Sequence, residues 1–207
     1  ILHKELFRDD ADRERFEEAL RQARAMTQKN VVRVHDHGFH EGYAWISLQH
    51  LEGLTLTKLM RLRASKDEGF ELDEIDQLVS QLIAALGHIH RSYAHGDLKP
   101  ENILYLPDVL KITDHFVVEA LPRKAVASRL EDSPYLAPEL RDREGQAEAT
   151  PRSDIYSLGV LLGRLLFGEG EPPAAAEAGD EPAREELAAL CRQATSPDPQ
   201  DRPASLE

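Results

Sequence analysis

Asp97, Lys99 and Asn102 stand within one short stretch of this sequence, His95-Gly96-Asp97-Leu98-Lys99-Pro100-Glu101-Asn102-Ile103-Leu104. A carboxylate, an ammonium and a carboxamide at this spacing suit phosphoryl transfer. That reaction needs a carboxylate to orient or deprotonate a hydroxyl, a cation beside the transferring phosphate and an oxygen donor for Mg²⁺. A proline in the middle stiffens the loop. Without such chemistry, the stretch is a polar loop between a helix and a strand.

The elements that must position these residues are legible on both sides. Leu72, Ile75, Leu78, Val79, Leu82, Ile83, Leu86 and Ile89 recur at helical spacing, predicting an amphipathic helix over Asp73–Ser92 that runs into the loop. An apolar strand leaves it at Ile103, and Lys111-Ile112-Thr113-Asp114 reads as a short strand ending in a carboxylate. Ile155–Phe167 is apolar nearly all round, which marks a buried helix; Arg164 interrupts it, and it is too short to span a bilayer. Ser153 can cap that helix. Upstream, Asp9–Met26 is a charged helix with Phe16, Leu20, Ala23 and Met26 on one face. Val31–Val34 and Tyr43–Leu48 read as strands joined through His35 to Gly42, with Gly38 and Gly42 as turn residues, and Ile1–Leu6 as the end of another strand. Glu169–Pro182, rich in Gly, Pro, Ala and Glu, reads as a flexible linker.

Composition bounds the rest. The chain has 207 residues, 41% hydrophobic and 30% charged, enough for a sizeable core in one domain or two lobes. A net charge of −13 argues against a nucleic-acid or anionic-membrane surface. Cys191 is the single cysteine, so no internal disulfide forms and a reducing, cytoplasmic setting fits. These residues show neither a signal-peptide pattern nor an internal repeat. The sequence opens at Ile1 inside a strand pattern and closes shortly after Pro203, and we read it as a fragment of a longer chain or as an unusually reduced domain.

The stretch at 95–104 resembles the catalytic loop of the eukaryotic-type protein kinase family, in the form closest to bacterial Ser/Thr kinases, where His-Arg-Asp-Leu-Lys-Pro-x-Asn is usual. Further motifs follow in family order: Asp114 at the Asp-Phe-Gly position, Ser133-Pro134-Tyr135-Leu136-Ala137-Pro138-Glu139, Asp154-Ile155-Tyr156-Ser157-Leu158-Gly159, and Asp198-Pro199-Gln200-Asp201-Arg202-Pro203. The resemblance implies an α+β, bilobal kinase-like fold: an incomplete small β lobe at 1–51 and a mainly helical large lobe at 52–207, truncated near its last helix. It implies ATP and Mg²⁺ as cofactors. Asp97 and Lys99 are the implied catalytic pair, with Asn102 and Asp114 holding the metal. Lys4, the gatekeeper Leu48, the hinge residues Gln49, His50 and Leu51, and Leu104 form the implied ATP site. His95, Glu139, Asp154 and Arg202 take structural roles: His95 as a packing residue, Asp154 accepting loop N–H groups, Arg202 pairing with Glu139. The partner is a protein substrate or protein ligand, with no nucleic acid and no membrane segment.

Several positions depart from the family pattern. Ala19 stands where the regulatory helix presents a Glu to the strand lysine, with Glu18 about 100° away round the helix. Gly96 replaces an Arg that binds an activation-loop phosphate. His115-Phe116 replaces Phe-Gly, and Asp132 stands at a Thr position. No Gly-x-Gly-x-x-Gly occurs in the chain. Two readings stay open: an enzyme passing the ATP γ-phosphoryl group to protein Ser/Thr, and a pseudokinase that acts by partner contact. His-Gly-Asp also occurs in small-molecule phosphotransferases, which lack the Ala-Pro-Glu segment present here.

Overall fold

The structure, a computed structural model, describes residues 1–107, 109–130, 133–141, 148–168 and 182–206, with the side chains of Lys4 and of residues 127–129 outside that description. Helix α1 (Asp10–Ala25) starts where Asp9 accepts the Asp12 N–H at 2.9 Å. Such a cap satisfies a donor that the first turn leaves unpaired. The buried face of α1 carries Phe16, Ala19, Leu20 and Ala23 and packs on the hairpin β1 (Val34–His40) and β2 (Tyr43–Leu48).

The strand pattern of the first lobe differs from the sequence expectation. The strand begins at Val34, not Val31, and Gly38 lies inside it opposite Trp45. A Cβ on Gly38 would meet the Trp45 ring at 3.2 Å, so the glycine serves a close cross-strand contact and not a turn. The turn falls on Glu41 and Gly42, both at positive φ. Val31 makes a parallel bridge to Ile112 and so ties the first lobe to the second. Ile1–Leu6 is not a strand end. Leu2 alone bridges to Ala44, and Lys4–Leu6 is a 3₁₀ turn closed by the Leu6 N–H on the His3 carbonyl.

The second lobe begins with β3 (Leu54–Thr55) and α2 (Leu56–Ala64), followed by α3 (Leu72–Ile89). Then come β4 (Ile103–Tyr105) and β5 (Leu110–Ile112), which complete an antiparallel sheet in the order β3-β4-β5. Helices α4 (Val117–Ala120), α5 (Arg123–Leu130), α6 (Pro151–Phe167) and α7 (Pro182–Ala194) follow. Helix α3 stops at Ile89, three residues before the expected end, because His90 caps it and Ser92 turns back onto the Ile89 carbonyl. The cap of α6 is Thr150 and not Ser153; Ser153 closes the reciprocal half of the capping box. Pro182 opens α7, and the rest of the expected linker, 169–181, lies outside the described residues.

Two apolar clusters hold these elements. One joins α3, α6 and the β4–β5 sheet through Leu82, Leu86, Ile89, Leu98, Ile103 and Leu161, all at most 1% exposed. The other joins α1 and the hairpin to Phe116, Ala120, Leu121, Val126 and Leu130. Each large apolar side chain so buried contributes about 1.5–3 kcal/mol. The second cluster puts the segment just after Asp114 against α1. Asn30, fully buried, donates to the Leu110 carbonyl at 2.8 Å and to Gln81 at 2.7 Å, while its carbonyl accepts the Ile112 N–H. Among the described residues, no helix is long and apolar enough to cross a membrane.

Candidate active site

The loop after α3 is held from below by α6. Asp154, in the first turn of α6 and fully buried, accepts the His95 N–H at 2.7 Å, the Gly96 N–H at 2.8 Å and His90 Nε2 at 2.8 Å. A buried carboxylate is stable only when its oxygens are filled in this way. His95, also fully buried, accepts the Asp97 N–H on Nδ1 at 3.2 Å and so donates from Nε2 to the Thr113 carbonyl at 3.2 Å. One imidazole thereby spaces the loop from the end of β5.

Asp97 projects from this frame with 3% of its side chain exposed. Lys99 Nζ donates to both its oxygens, at 2.7 and 2.8 Å. Asn102 Nδ2 donates to the Asp97 carbonyl at 2.8 Å and to Oδ2 at 3.2 Å. The 3₁₀ turn Pro100–Asn102 gives Lys99 and Asn102 their shared access to one carboxylate. With its amide nitrogen committed to Asp97, Asn102 keeps Oδ1 as an acceptor.

Asp114 follows β5 with φ 58°, a strained left-handed conformation for a non-glycine residue. It is half-buried, and its carboxylate takes a contact from Thr113 Oγ1 at 3.4 Å. The Asn102 side-chain carbonyl and the Asp114 carboxylate are hard oxygen donors of the kind Mg²⁺ takes. In donor type they fit the metal the sequence implies and would hold it. His115 is 1% exposed, stacks on Tyr93 at 6.2 Å between centroids, and shares a 3.1 Å hydrogen bond from Nδ1 to the Tyr93 hydroxyl. Burial, with lesser contributions that include the neighbouring His95, pushes its pKa down to about 3, so it is a neutral packing group. Phe116 packs edge-on to His115 and enters the cluster against α1.

The residues expected around ATP are spread along the lobe junction. Leu48 ends β2, pairs with Val34 and is half-buried; Leu104, in the middle of β4, pairs with Thr55 and Lys111. The Gln49 N–H is committed to the Arg33 carbonyl at 2.9 Å. His50 is exposed and Leu51 half-buried. Lys4 lies in the 3₁₀ turn, with its side chain outside the description. Glu18 faces solvent, bonded to Arg21 and to Gln22, whereas Ala19 is 2% exposed in the core. Glu18 therefore does not take the inward position that Ala19 occupies. Asp132 lies outside the described residues.

Below the loop, Arg202 is 2% exposed and grips Glu139 with both terminal nitrogens, at 2.7 and 2.8 Å. Its remaining donors go to the carbonyls of Ser196, Arg152 and Pro197. Burial would raise the Glu139 carboxyl, but the bonds from Arg202, aided by a backbone bond and by Ser153, outweigh it and hold the group below the usual carboxylate range. Gly96 has φ 72°, and an added Cβ would lie 2.9 Å from both Ala149 Cβ and Val118 Cγ1. No larger side chain fits there. Two contributors went unread in the sequence: His90 as a third partner of Asp154, and Tyr135, whose ring carries the Arg164 guanidinium at 4.9 Å. Only the charge of Arg164 inside an apolar helix signalled the latter.

A bilobal α+β fold with an Asp–Lys–Asn loop braced by a buried Asp is the architecture of a protein kinase domain. Residues 2–205 match the protein kinase domain family, and the chain belongs to it. It is similar to the serine/threonine-protein kinase PrkC of Bacillus subtilis, 31% identical over 174 residues that make up 81% of this chain and 26% of PrkC. It is also similar to the serine/threonine-protein kinase PknL of Mycobacterium tuberculosis, 33% identical over 74% of this chain and 38% of PknL. In three dimensions it matches the Mycobacterium tuberculosis PknI kinase domain, with a TM-score of 0.74 over 99% of this chain and 78% of that one, at 23% identity. The chain thus spans about a quarter of the length of PrkC.

Proposed function

We propose that this chain is the catalytic domain of a serine/threonine protein kinase that transfers the ATP γ-phosphoryl group to a protein hydroxyl. The observation that carries the reading is the Asp97 carboxylate, almost fully buried and held by Lys99 and Asn102. Asp97 orients the substrate hydroxyl and takes its proton as the oxygen bonds to the γ-phosphorus and the bond to ADP breaks. Two of the three Lys99 ammonium hydrogens rest on Asp97, which leaves one for a phosphoryl oxygen. Asn102 and Asp114 hold Mg²⁺, which, when bound, offsets the phosphate charge. The Leu51 N–H, with no internal partner among the described residues, and its hinge neighbours meet the adenine beside Leu48 and Leu104. Lys4 belongs to the α/β-phosphates. The lobes divide at 51/52, and the domain works in the cytoplasm on proteins, without nucleic acid. A groove of about 810 Å³ bounded by α2, Lys99 and Ser133–Tyr135 receives the protein segment.

The pseudokinase reading keeps one specific support. The inner face of α1 is apolar, and Glu18 is spent on Arg21 and Gln22, so α1 offers no inward carboxylate to position a lysine. Thermal unfolding at millimolar ATP, with and without Mg²⁺, separates the two. A ligand of the folded state at a hundredfold excess over its Kd stabilises by about 2.7 kcal/mol. The kinase reading expects a Mg²⁺-dependent rise that Asp114→Ala removes, and phosphate incorporation into protein that Asp97→Asn lowers at least about a hundredfold. No rise at any ATP concentration overturns it in favour of partner binding.

A further inference from the structure

Arg164 is the one charged side chain in the C-terminal half of α6, a helix otherwise apolar there. It is half-buried. Its guanidinium lies over the Tyr135 ring at 4.9 Å and donates from Nη1 to the Tyr135 hydroxyl at 3.1 Å. These contacts aim the planar group without neutralising it. The chain carries 38 acidic residues against 25 basic ones, and other arginines such as Arg63, Arg192 and Arg202 each find a carboxylate. Arg164 has none within ion-pair distance among the described residues. A partly desolvated cation left unpaired in an acidic protein is costly unless a ligand supplies the anion.

The surroundings name that ligand. Arg164, Lys99 and Ser133–Tyr135 line the same groove, and Lys99 bonds Asp97, so a segment lying in that groove runs along both the Asp97–Lys99 pair and the guanidinium. The Thr57 hydroxyl on the same groove is buried without a partner among the described residues, a second polar group open to one. Asp67, Glu68 and Glu101 also line the groove, but all three are exposed, where water and salt screen them. The guanidinium, half-buried and braced on an aromatic ring, is the stronger determinant.

We propose that Arg164 is a specificity residue for acidic protein segments: the groove favours Ser/Thr sequences with an Asp or Glu near the accepting hydroxyl, whose carboxylate bonds the Arg164 guanidinium. The inference rests on the kinase reading for the identity of the groove.

The test measures binding apart from catalysis. Fluorescent peptides of one length carry a central Ser and a flanking Glu, Gln or Lys, and their anisotropy is titrated with the chain in the absence of ATP. The Glu peptide should bind on the order of tenfold tighter than the Gln peptide, with the margin falling as salt rises. Arg164→Gln should bring that ratio near one, Arg164→Lys should restore part of it, and Arg164→Glu should favour the Lys peptide, each with the melting temperature measured alongside. If Arg164→Gln fails to fold, the Glu-to-Gln ratio of the unmodified chain still decides. Equal binding of Glu and Gln peptides, a ratio untouched by a folded Arg164→Gln, or no binding of any peptide overturns the proposal. An Arg164-dependent preference without phosphate transfer from ATP would remove the kinase reading and leave this one. Transfer indifferent to the flanking acid would do the reverse.

Discussion

Replacing Asp154 by Ala should be among the most damaging single changes in the chain. The carboxylate is fully buried and accepts from the His95 and Gly96 N–H groups and from His90. Removing it strands two buried backbone donors, each costing about 1–3 kcal/mol, so the loss should fall near 4 kcal/mol. In a domain of this size that lowers the melting temperature by roughly 8–16 °C. Asp154→Asn keeps one acceptor oxygen and sets an NH₂ against a donor, and should cost about half as much. His90→Gln removes only the outer partner and should cost about 1 kcal/mol. Equilibrium urea unfolding gives the three values, and amide hydrogen exchange at His95 and Gly96 tests the mechanism. Protection at those two amides should fall in Asp154→Ala beyond the global loss. A cost below 1 kcal/mol, or unchanged local protection, would refute the argument that this carboxylate holds the loop.

Two further outcomes follow from the same structure. Gly96→Ala forces a Cβ into contact with Ala149 and Val118 at positive φ and should cost about 1–3 kcal/mol in urea unfolding, whereas an exposed Gly69→Ala should be neutral within about 0.5 kcal/mol. Burial raises the Cys191 thiol to about 12 from its ordinary 9.0. Above pH 9 the unfolded chain releases this proton and the folded chain keeps it, so stability falls as pH rises. Between pH 9 and 10 the unmodified chain should lose about 1 kcal/mol more than Cys191→Ala, read from paired urea curves.

Much of this fold was legible in the sequence because its determinants are local. The amphipathic period of α3, the apolar α6, the Asp97–Lys99–Asn102 spacing and the Glu139 and Arg202 motifs are all patterns within a few residues. Helix ends were less legible. The reach of α3 to Ser92 failed because a polar cap, His90, competes with continued apolar spacing. The Gly38 turn failed because a glycine can serve a tryptophan contact across a hairpin as well as it serves a turn. Lys4 was read into a strand that depends on neighbouring strands to pair with, and with only Leu2 bridged the chain closes into a 3₁₀ turn.

The sequence by itself determined the family and the order of the elements, and it set a carboxylate, an ammonium and a carboxamide on one loop, because spacing along one loop fixes which groups share a turn. Only the tertiary structure decided which way Glu18 faces, how the segment after Asp114 packs on α1, and that Arg164 is held on Tyr135 in the groove that Lys99 also lines, with no counter-charge among the described residues. Those facts depend on contacts between residues far apart in the chain, which burial and packing settle and local spacing does not record.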